Sequence, residues 1–173
     1  MTLAAVLGAA DLAAARAVSA AERQALAARV AAFQAAGRAG DFKALVDFAP
    51  PRVTERLAAR AGTSVPELRA RLSAAMAATF RVVTLESLRM DMRRARYLQA
   101  GGGAPYALIP TETITSFPDG ARVLARSETV ALLDGGVWCL IRVEDPDRAR
   151  LLREAYPAFR EVRFPPGSVR RLN

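Results

Sequence analysis

The residues of this chain that could carry chemistry are hydroxyls and carboxylates, because the usual catalytic bases are missing. The 173 residues include no His and one Cys, Cys139. His is the commonest general base and the commonest metal ligand. A single Cys cannot form an intrachain disulfide or a cysteine-rich metal site, and its alternation with Val137 and Ile141 indicates a buried thiol. We therefore expect no metal centre, no cofactor and no assignable catalytic residue.

A row of hydroxyl side chains is the first candidate site. The residues are Thr111, Thr113, Ser127 and Thr129, all at odd positions of two strand-like runs. A hydroxyl without a neighbouring base is a poor nucleophile, so these residues are candidates for lining a small ligand pocket. The alternative is that β-branched Thr suits a half-buried strand.

Two helix carboxylates are the remaining acid–base candidates. Asp41 follows Gly40 at a predicted helix start, where capping backbone N–H groups is its expected role. Asp47 is expected to point to solvent. An enzyme of the isomerase or dehydratase kind would require Asp47 to be buried in a cavity beside Thr111 or Thr129, with its pKa raised.

The basic residues leave two alternatives open. The net charge is +8, and Lys43 is the only Lys among 25 basic residues. Either the arginines form a solvated surface, or clusters of them bind an anionic partner. Nucleic acid is not expected, because the arginines are spread along the chain. The densest clusters are Arg89, Arg93, Arg94 and Arg96, and then Arg160, Arg163, Arg170 and Arg171.

Helices are predicted to open the chain and to close it. Capping boxes at Ser19 with Glu22 and at Ser64 with Glu67 predict the first and fourth helices. Shorter helices are expected from about Phe42 until Ala49-Pro50-Pro51 breaks the first, and after Pro51, and a last one after the cap Asp145. The fourth helix carries an apolar stripe at helical spacing that predicts a core face. It consists of Val65, Leu68, Leu72, Met76 and Phe80.

Residues 80–143 are typical of an antiparallel meander. Four strand-like runs are separated by glycine-bearing turns at residues 101–103, 118–120 and 134–136. In the first run the parity of the apolar positions changes, which predicts a β-bulge near Glu86–Ser87 and a long, bent strand. Within the last three runs, at residues 107–117, 123–133 and 137–143, the odd positions carry no charge. The odd face is therefore expected to pack under the helices.

The face formed by the even-numbered strand positions predicts both the strand register and a partner. If both later turns are three-residue loops, Glu112 faces Arg126 and Glu128 faces Arg142. Trp138 is expected to be at least half buried on this face, away from the helices. Its large apolar residues indicate a homodimer formed through the sheet; the alternative is cover by the C-terminal tail. These interface candidates are Tyr106, Leu108, Ile114, Leu132, Trp138 and Leu140.

Together these patterns predict an α+β cone fold. N-terminal helices pack on a curved antiparallel four-strand meander, followed by a short C-terminal helix, in one domain over residues 19–165. Residues 1–18 are either the remnant of an export signal or an alanine-rich helix, which favours an exported or periplasmic protein over a cytoplasmic one. Residues 166–173 are expected to be a flexible tail. No apolar run is long enough to span a membrane.

Several motifs resemble one group of proteins over residues 40–165. They are Gly40-Asp41-Phe42, "YALIPTETI", Asp134 with Gly136 and Trp138, Tyr156-Pro157 and Phe164-Pro165. The group consists of uncharacterised, often exported, bacterial proteins of the nuclear-transport-factor-2-like superfamily.

The resemblance implies the cone fold, and it leaves the function open because a fold hosts many functions. The superfamily includes ketosteroid isomerases, dehydratases, polyketide cyclases and non-enzymatic binding modules. We expect a non-enzymatic domain that binds a small, apolar ligand between helices and sheet.

Overall fold

A computed structural model describes residues 17–173, so the predicted leader or alanine-rich helix lies almost wholly outside the described residues. The helices are α1 Ala20–Ala39, α2 Phe42–Val46, α3 Pro51–Arg60, α4 Val65–Val82 and α5 Pro146–Ala155. The strands are β1 Thr84–Met90, β2 Arg96–Gln99, β3 Pro105–Ser116, β4 Arg122–Asp134, β5 Val137–Arg142 and β6 Ser168–Arg171. Within residues 17–173, no helix is long and apolar enough to cross a membrane.

Local capping fixes where the helices begin and end. The Ser19 hydroxyl accepts from the Glu22 N–H at 3.2 Å, and the Glu22 carboxylate accepts from the Ser19 N–H at 2.8 Å. The same reciprocal pair of bonds begins α4 at Ser64, which confirms both predicted capping boxes. Gly40, with φ +66°, ends α1 in the left-handed conformation that glycine adopts without strain.

The sheet is antiparallel and curls around α1 as a half-barrel, which confirms the α+β cone fold. Strands β3 and β4 lie at its centre; β1 and β2 pair with β3, and β5 and β6 pair with β4. The register shifts between Leu85 and Ser87, so the predicted bulge is confirmed.

Two features of the sheet differ from prediction. The long first strand is two strands, because a 3₁₀ turn at Met92–Arg94 interrupts it, and the Asp91 carboxylate caps that turn by accepting from the Arg93 N–H at 3.0 Å. The tail expected to be flexible contains β6. Strand β6 pairs with β4. The Asn173 side chain then donates to the Gly120 carbonyl and accepts from the Arg122 N–H.

One face of the sheet packs under α1, as the odd positions of β3 and β4 predict. This cluster contains Val18, Leu26, Val30, Phe48, Met90, Ala107, Ile109, Ala131, Trp138 and Leu140. The Trp138 indole N–H donates to the Glu22 carbonyl of α1 at 2.9 Å. Trp138 is 3% exposed, so its burial is confirmed, but its predicted position on the face away from the helices is wrong.

The turn between β4 and β5 explains this inversion. Only Gly135 and Gly136 lie in the loop, with φ of +56° and +81°, so Leu133 pairs with Trp138. A two-residue loop shifts the register by one relative to a three-residue loop, and a shift of one exchanges the two faces. Even positions of β5 therefore lie on the same face as odd positions of β4.

The same shift separates one of the two predicted ion pairs. Glu112 is opposite Arg126, with Oε1 and Nε 2.6 Å apart, so that pair is confirmed. Arg142 is opposite Thr129 rather than Glu128, so the second pair is wrong. Glu128 instead forms an ion pair with Arg96 at 3.2 Å.

The other face of the sheet is covered by the C-terminal part of the same chain. Tyr106, Leu108 and Leu132 are buried there against α5 and the 3₁₀ turn Pro157–Phe159, and Phe164 packs against this cluster. Trp138 and Leu140 are buried under α1, and Ile114 is half-buried. The interface candidates therefore form no open apolar face. A homodimer formed through the sheet stays a prediction, but the exposed apolar face that suggested it is covered by the chain itself.

Helix α4 also differs from prediction, because none of its 18 residues is buried. The predicted core stripe is only partly covered, and Leu72 is 38% exposed. The helix packs against α2 and α3 rather than under the sheet, with the Phe42 and Phe80 rings stacked at 5.2 Å. Periodicity identified the apolar side of α4 but could not show that only two short helices cover it.

Candidate binding groove and the predicted site residues

The predicted hydroxyl site is part of the core. Thr111 and Thr129 are each 1% exposed, and Thr113 is also buried. The Thr111 hydroxyl donates to the Ile109 carbonyl at 3.0 Å, and its oxygen lies 2.7 Å from the Thr129 hydroxyl. The two hydroxyls satisfy each other across β3 and β4, so their role is to stabilise a buried strand pair.

Ser127 does not take part in this contact and binds an arginine instead. Its hydroxyl accepts from the Arg142 Nε at 3.2 Å, and the same guanidinium lies 3.2 Å from the Glu144 carboxylate. Ser127 and Thr111 also border an open groove of about 410 Å³ on the sheet. Its other lining residues are Arg94, Pro110, Glu112, Arg126, Glu128, Pro165, Pro166 and Ser168. Glu112 and Glu128 already bind arginines, so Arg94 is the charged lining residue that forms no ion pair within residues 17–173.

Neither helix carboxylate meets the conditions for an enzyme. Asp41 caps α2 by accepting from the Ala44 N–H at 2.9 Å, as predicted. The side chain of Asp47 is 50% exposed and binds Arg69 at 3.1 Å. Asp47 is therefore not the buried, unpaired acid that proton abstraction in a cone requires.

A partly buried polar contact joins two of the motifs that carry the resemblance. The Tyr156 hydroxyl donates to the Asp134 carboxylate at 2.8 Å and accepts from the Arg52 N–H at 3.4 Å. Burial, followed by this bond to Asp134, raises the pKa of Tyr156, and burial also raises the pKa of the Cys139 thiol. Groups that are harder to ionise are poorly suited to acid–base work at neutral pH. The contact fastens the β4–β5 turn to α3 and α5.

A concave site that can receive a ligand lies between α2 and α4. This α2–α4 groove has a volume of about 640 Å³. Its floor is built from small and apolar residues of α4, namely Val65, Pro66, Ala70, Ser73, Ala74 and Ala77. Its charged rim is Lys43, Asp47 and Arg69. Arg69 and Asp47 neutralise each other, whereas the Lys43 ammonium has no side-chain partner in residues 17–173.

A second groove continues from the first along α4. It has a volume of about 470 Å³ and shares Ala77 with the α2–α4 groove. Its walls come from the end of α1, the start of α2, the end of α4 and the start of β1. The lining residues are Gly37, Arg38, Ala39, Gly40, Phe42, Ala77, Phe80, Arg81, Val83, Thr84 and Leu85. Arg38 and Arg81 form no ion pair within the described part of the chain.

Sequence reasoning missed both grooves because most of the α4 residues that line them lie outside the predicted apolar stripe, of which only Val65 and Phe80 take part. One signal was present: the only Lys of an arginine-rich chain lies on α2, beside the groove. Of the first predicted arginine cluster, Arg93 pairs with Asp91 and Arg96 with Glu128, whereas Arg89 and Arg94 form no ion pair among the described residues. An anionic partner for the arginine clusters stays a prediction.

No group of three or more potential metal-ligating side chains lies together in residues 17–173. No model of a known protein family, no curated protein and no solved structure matches the chain.

Proposed function

We propose that this protein is a non-enzymatic binding module that takes an apolar ligand bearing an acidic group into the α2–α4 groove. The observation that carries the proposal is the groove itself, with its apolar floor and the unpaired ammonium of Lys43 at its rim. Its volume of about 640 Å³ is in the range of small-molecule sites. This site lies within the helical layer rather than between helices and sheet.

The chemistry of the ligand follows from the lining. Small side chains on the α4 floor leave room for an apolar body, whose transfer from water is favourable. At the rim Arg69 and Asp47 cancel, so Lys43 leaves one positive charge. A single carboxylate or sulfonate next to the apolar body complements that charge.

The superfamily resemblance is part of this proposal. The cone architecture supports it, and so does the contact between Asp134 and Tyr156, which brings two of its motifs together. An isomerase or dehydratase of the same superfamily needs a positioned acid or base. The chain has no His, and Asp41 and Asp47 are committed to a helix cap and an ion pair. We therefore favour the binding module.

Titration with the fluorescent probe 8-anilinonaphthalene-1-sulfonate tests the proposal, because the probe combines an apolar body with one sulfonate. We expect saturable binding that decanoate displaces. Ala74→Trp fills the groove and is expected to weaken binding about tenfold or more, whereas Lys43→Met removes the charge and is expected to weaken it about threefold to tenfold.

Two matched controls accompany these variants. Ala75→Trp adds the same side chain to an exposed position of α4 outside the groove lining, and Arg160→Met removes one exposed charge elsewhere. Both should bind the probe like the unmodified protein. The proposal fails if Ala74→Trp and Ala75→Trp have equal effects, since the probe then binds elsewhere.

A further inference from the structure

We infer that the occupant of this site is an acidic, amphipathic helix of another protein that lies along the whole of α4. The inference rests on the proposed function, because it assigns the α2–α4 groove to a partner segment and extends it into the second groove. Three observations carry it: the length of the combined groove, the unburied state of α4, and the charges that line it.

The combined groove is longer than a small ligand needs. Its two parts meet at Ala77 and together run beside α4 from Val65 to the start of β1 at Leu85. The 18 residues of α4 extend about 27 Å at ~1.5 Å per residue. A small ligand fills one part only, whereas a helix of about five turns fills both.

The shape of α4 suits a helical partner. None of the 18 residues of α4 is buried, and Val65 and Phe80 of its apolar stripe line the combined groove. Along the groove, Ala70, Ser73 and Ala77 recur at spacings of three and four residues, which places small side chains on one strip. Such a strip admits another helix at the usual interaxial distance of roughly 8–10 Å, and Phe80 offers an apolar contact at its end.

Charge selects the kind of helix. Arg38, Lys43 and Arg81 line the combined groove without an ion-pair partner among residues 17–173, and Asp47 is neutralised by Arg69. The lining is therefore positive, and an acidic segment complements it. A second copy of this chain is a poorer occupant, because each copy carries a net charge of +8.

Fluorescence anisotropy with two labelled 18-residue model peptides tests the inference on the full chain. Both carry Leu at helical i, i+3, i+4, i+7 spacing; one has Glu at the other positions and the second has Lys. We expect the Glu peptide to bind at least about tenfold more tightly than the Lys peptide, and its binding to weaken as salt is raised.

Charge reversal locates the peptide. The double variant Arg38→Glu, Arg81→Glu should weaken the Glu peptide about tenfold, while Arg160→Glu paired with Arg163→Glu is the matched control and should have little effect. Arg38 and Arg81 do not line the α2–α4 groove, so the double variant Arg38→Glu, Arg81→Glu should bind the anilinonaphthalene probe as the unmodified protein does. Loss of peptide binding with retained probe binding therefore separates this inference from the proposed function.

Three results would overturn the inference. The Lys peptide could bind as tightly as the Glu peptide; salt could leave the affinity unchanged; or both double variants could weaken the Glu peptide equally. The first two measurements use the unmodified protein, so they decide the matter even if charge reversal disturbs folding. Probe binding without Glu-peptide binding would leave a small-molecule module, and absence of both would reject the groove as a site.

Discussion

Single residues of this protein join elements that are distant along the chain. Arg29 of α1 donates from Nε to the Trp138 carbonyl at 3.1 Å and from its terminal nitrogen to the Asp47 carbonyl at 3.3 Å. Its guanidinium also lies 4.0 Å from the centre of the Phe48 ring. One side chain thus connects α1, the end of α2 and β5, which positions α2 and with it one wall of the groove.

At this scale Glu67 provides a test by pH. The backbone N–H of Ser64 and the hydroxyls of Thr63 and Ser64 bind its carboxylate and lower its pKa from 4.5 to about 2. A depressed pKa means that the cap stabilises the fold above about pH 4.5, and that this contribution is lost as pH falls through about 2. Carboxyl NMR titration should give a midpoint near 2 for Glu67.

The variant Ser64→Ala should raise this midpoint, because one of the three donors is removed. Ser73→Ala makes the same substitution in α4 away from the cap and should leave it unchanged. A Glu67 midpoint near the ordinary 4.5 in the unmodified protein would show that the capping box is not formed in solution.

At the scale of the elements, the two-residue turn Gly135–Gly136 determines which side chains of β5 face α1 and which face α5. Both residues have positive φ, which only glycine adopts freely and Asn tolerates. The turn places Trp138 and Leu140 under α1, and Cys139 under α5. Turn geometry therefore selects the residues of two cores at once.

We expect the two glycines of this turn to respond differently to substitution. Gly135→Asn should change the free energy of unfolding by less than ~0.5 kcal/mol, because Asn-Gly suits a tight hairpin turn. Gly136→Val should destabilise by about 1–2 kcal/mol, because a β-branched residue is strained at φ +81°. No atom lies within 4 Å of an added Cβ at either position, so the cost is conformational. Urea unfolding of the two variants, each the other's control, measures this; equal losses would contradict a two-residue turn.

At the scale of the whole molecule, the sheet is the middle of three layers. Helix α1 buries one face and α5 with the turn Pro157–Phe159 buries the other, in two separate clusters. Helix α4 lies outside both clusters. We expect the stability of the molecule to depend on the two layers and little on α4.

Three leucines test this arrangement. Leu26 in α1 and Leu152 in α5 are fully buried, so Leu26→Ala and Leu152→Ala should each lower the free energy of unfolding by about 2–5 kcal/mol. Because the two sites belong to different clusters, their effects should add within ~0.5 kcal/mol. Leu72→Ala in α4 is the matched control and should cost less than ~1 kcal/mol. A loss at Leu72 equal to that at Leu26 would place α4 in the core, as its periodicity alone suggests.

Local chemistry in the sequence was enough to predict much of this protein. The helix starts follow from Ser19 with Glu22, Ser64 with Glu67, and Asp145 before Pro146, because a cap and its partner are at most three residues apart. The bulge at Leu85–Ser87 follows from a change in the period-two alternation of apolar residues. The β3–β4 register agrees with the three-residue loop expected at residues 118–120. The lack of His is likewise a property of the sequence alone.

The tertiary structure decided the rest, because the remaining questions depend on partners far away in the chain. Whether the turn at Gly135 contains two or three residues cannot be derived from composition, yet it determines which face of β5 lies under α1. Apolar periodicity shows that a helix has a side to bury, but not how much cover the fold supplies. For Trp138 the cover is nearly complete, whereas Leu72 is 38% exposed. Two other residues of the predicted core stripe, Val65 and Phe80, line the grooves instead of the core.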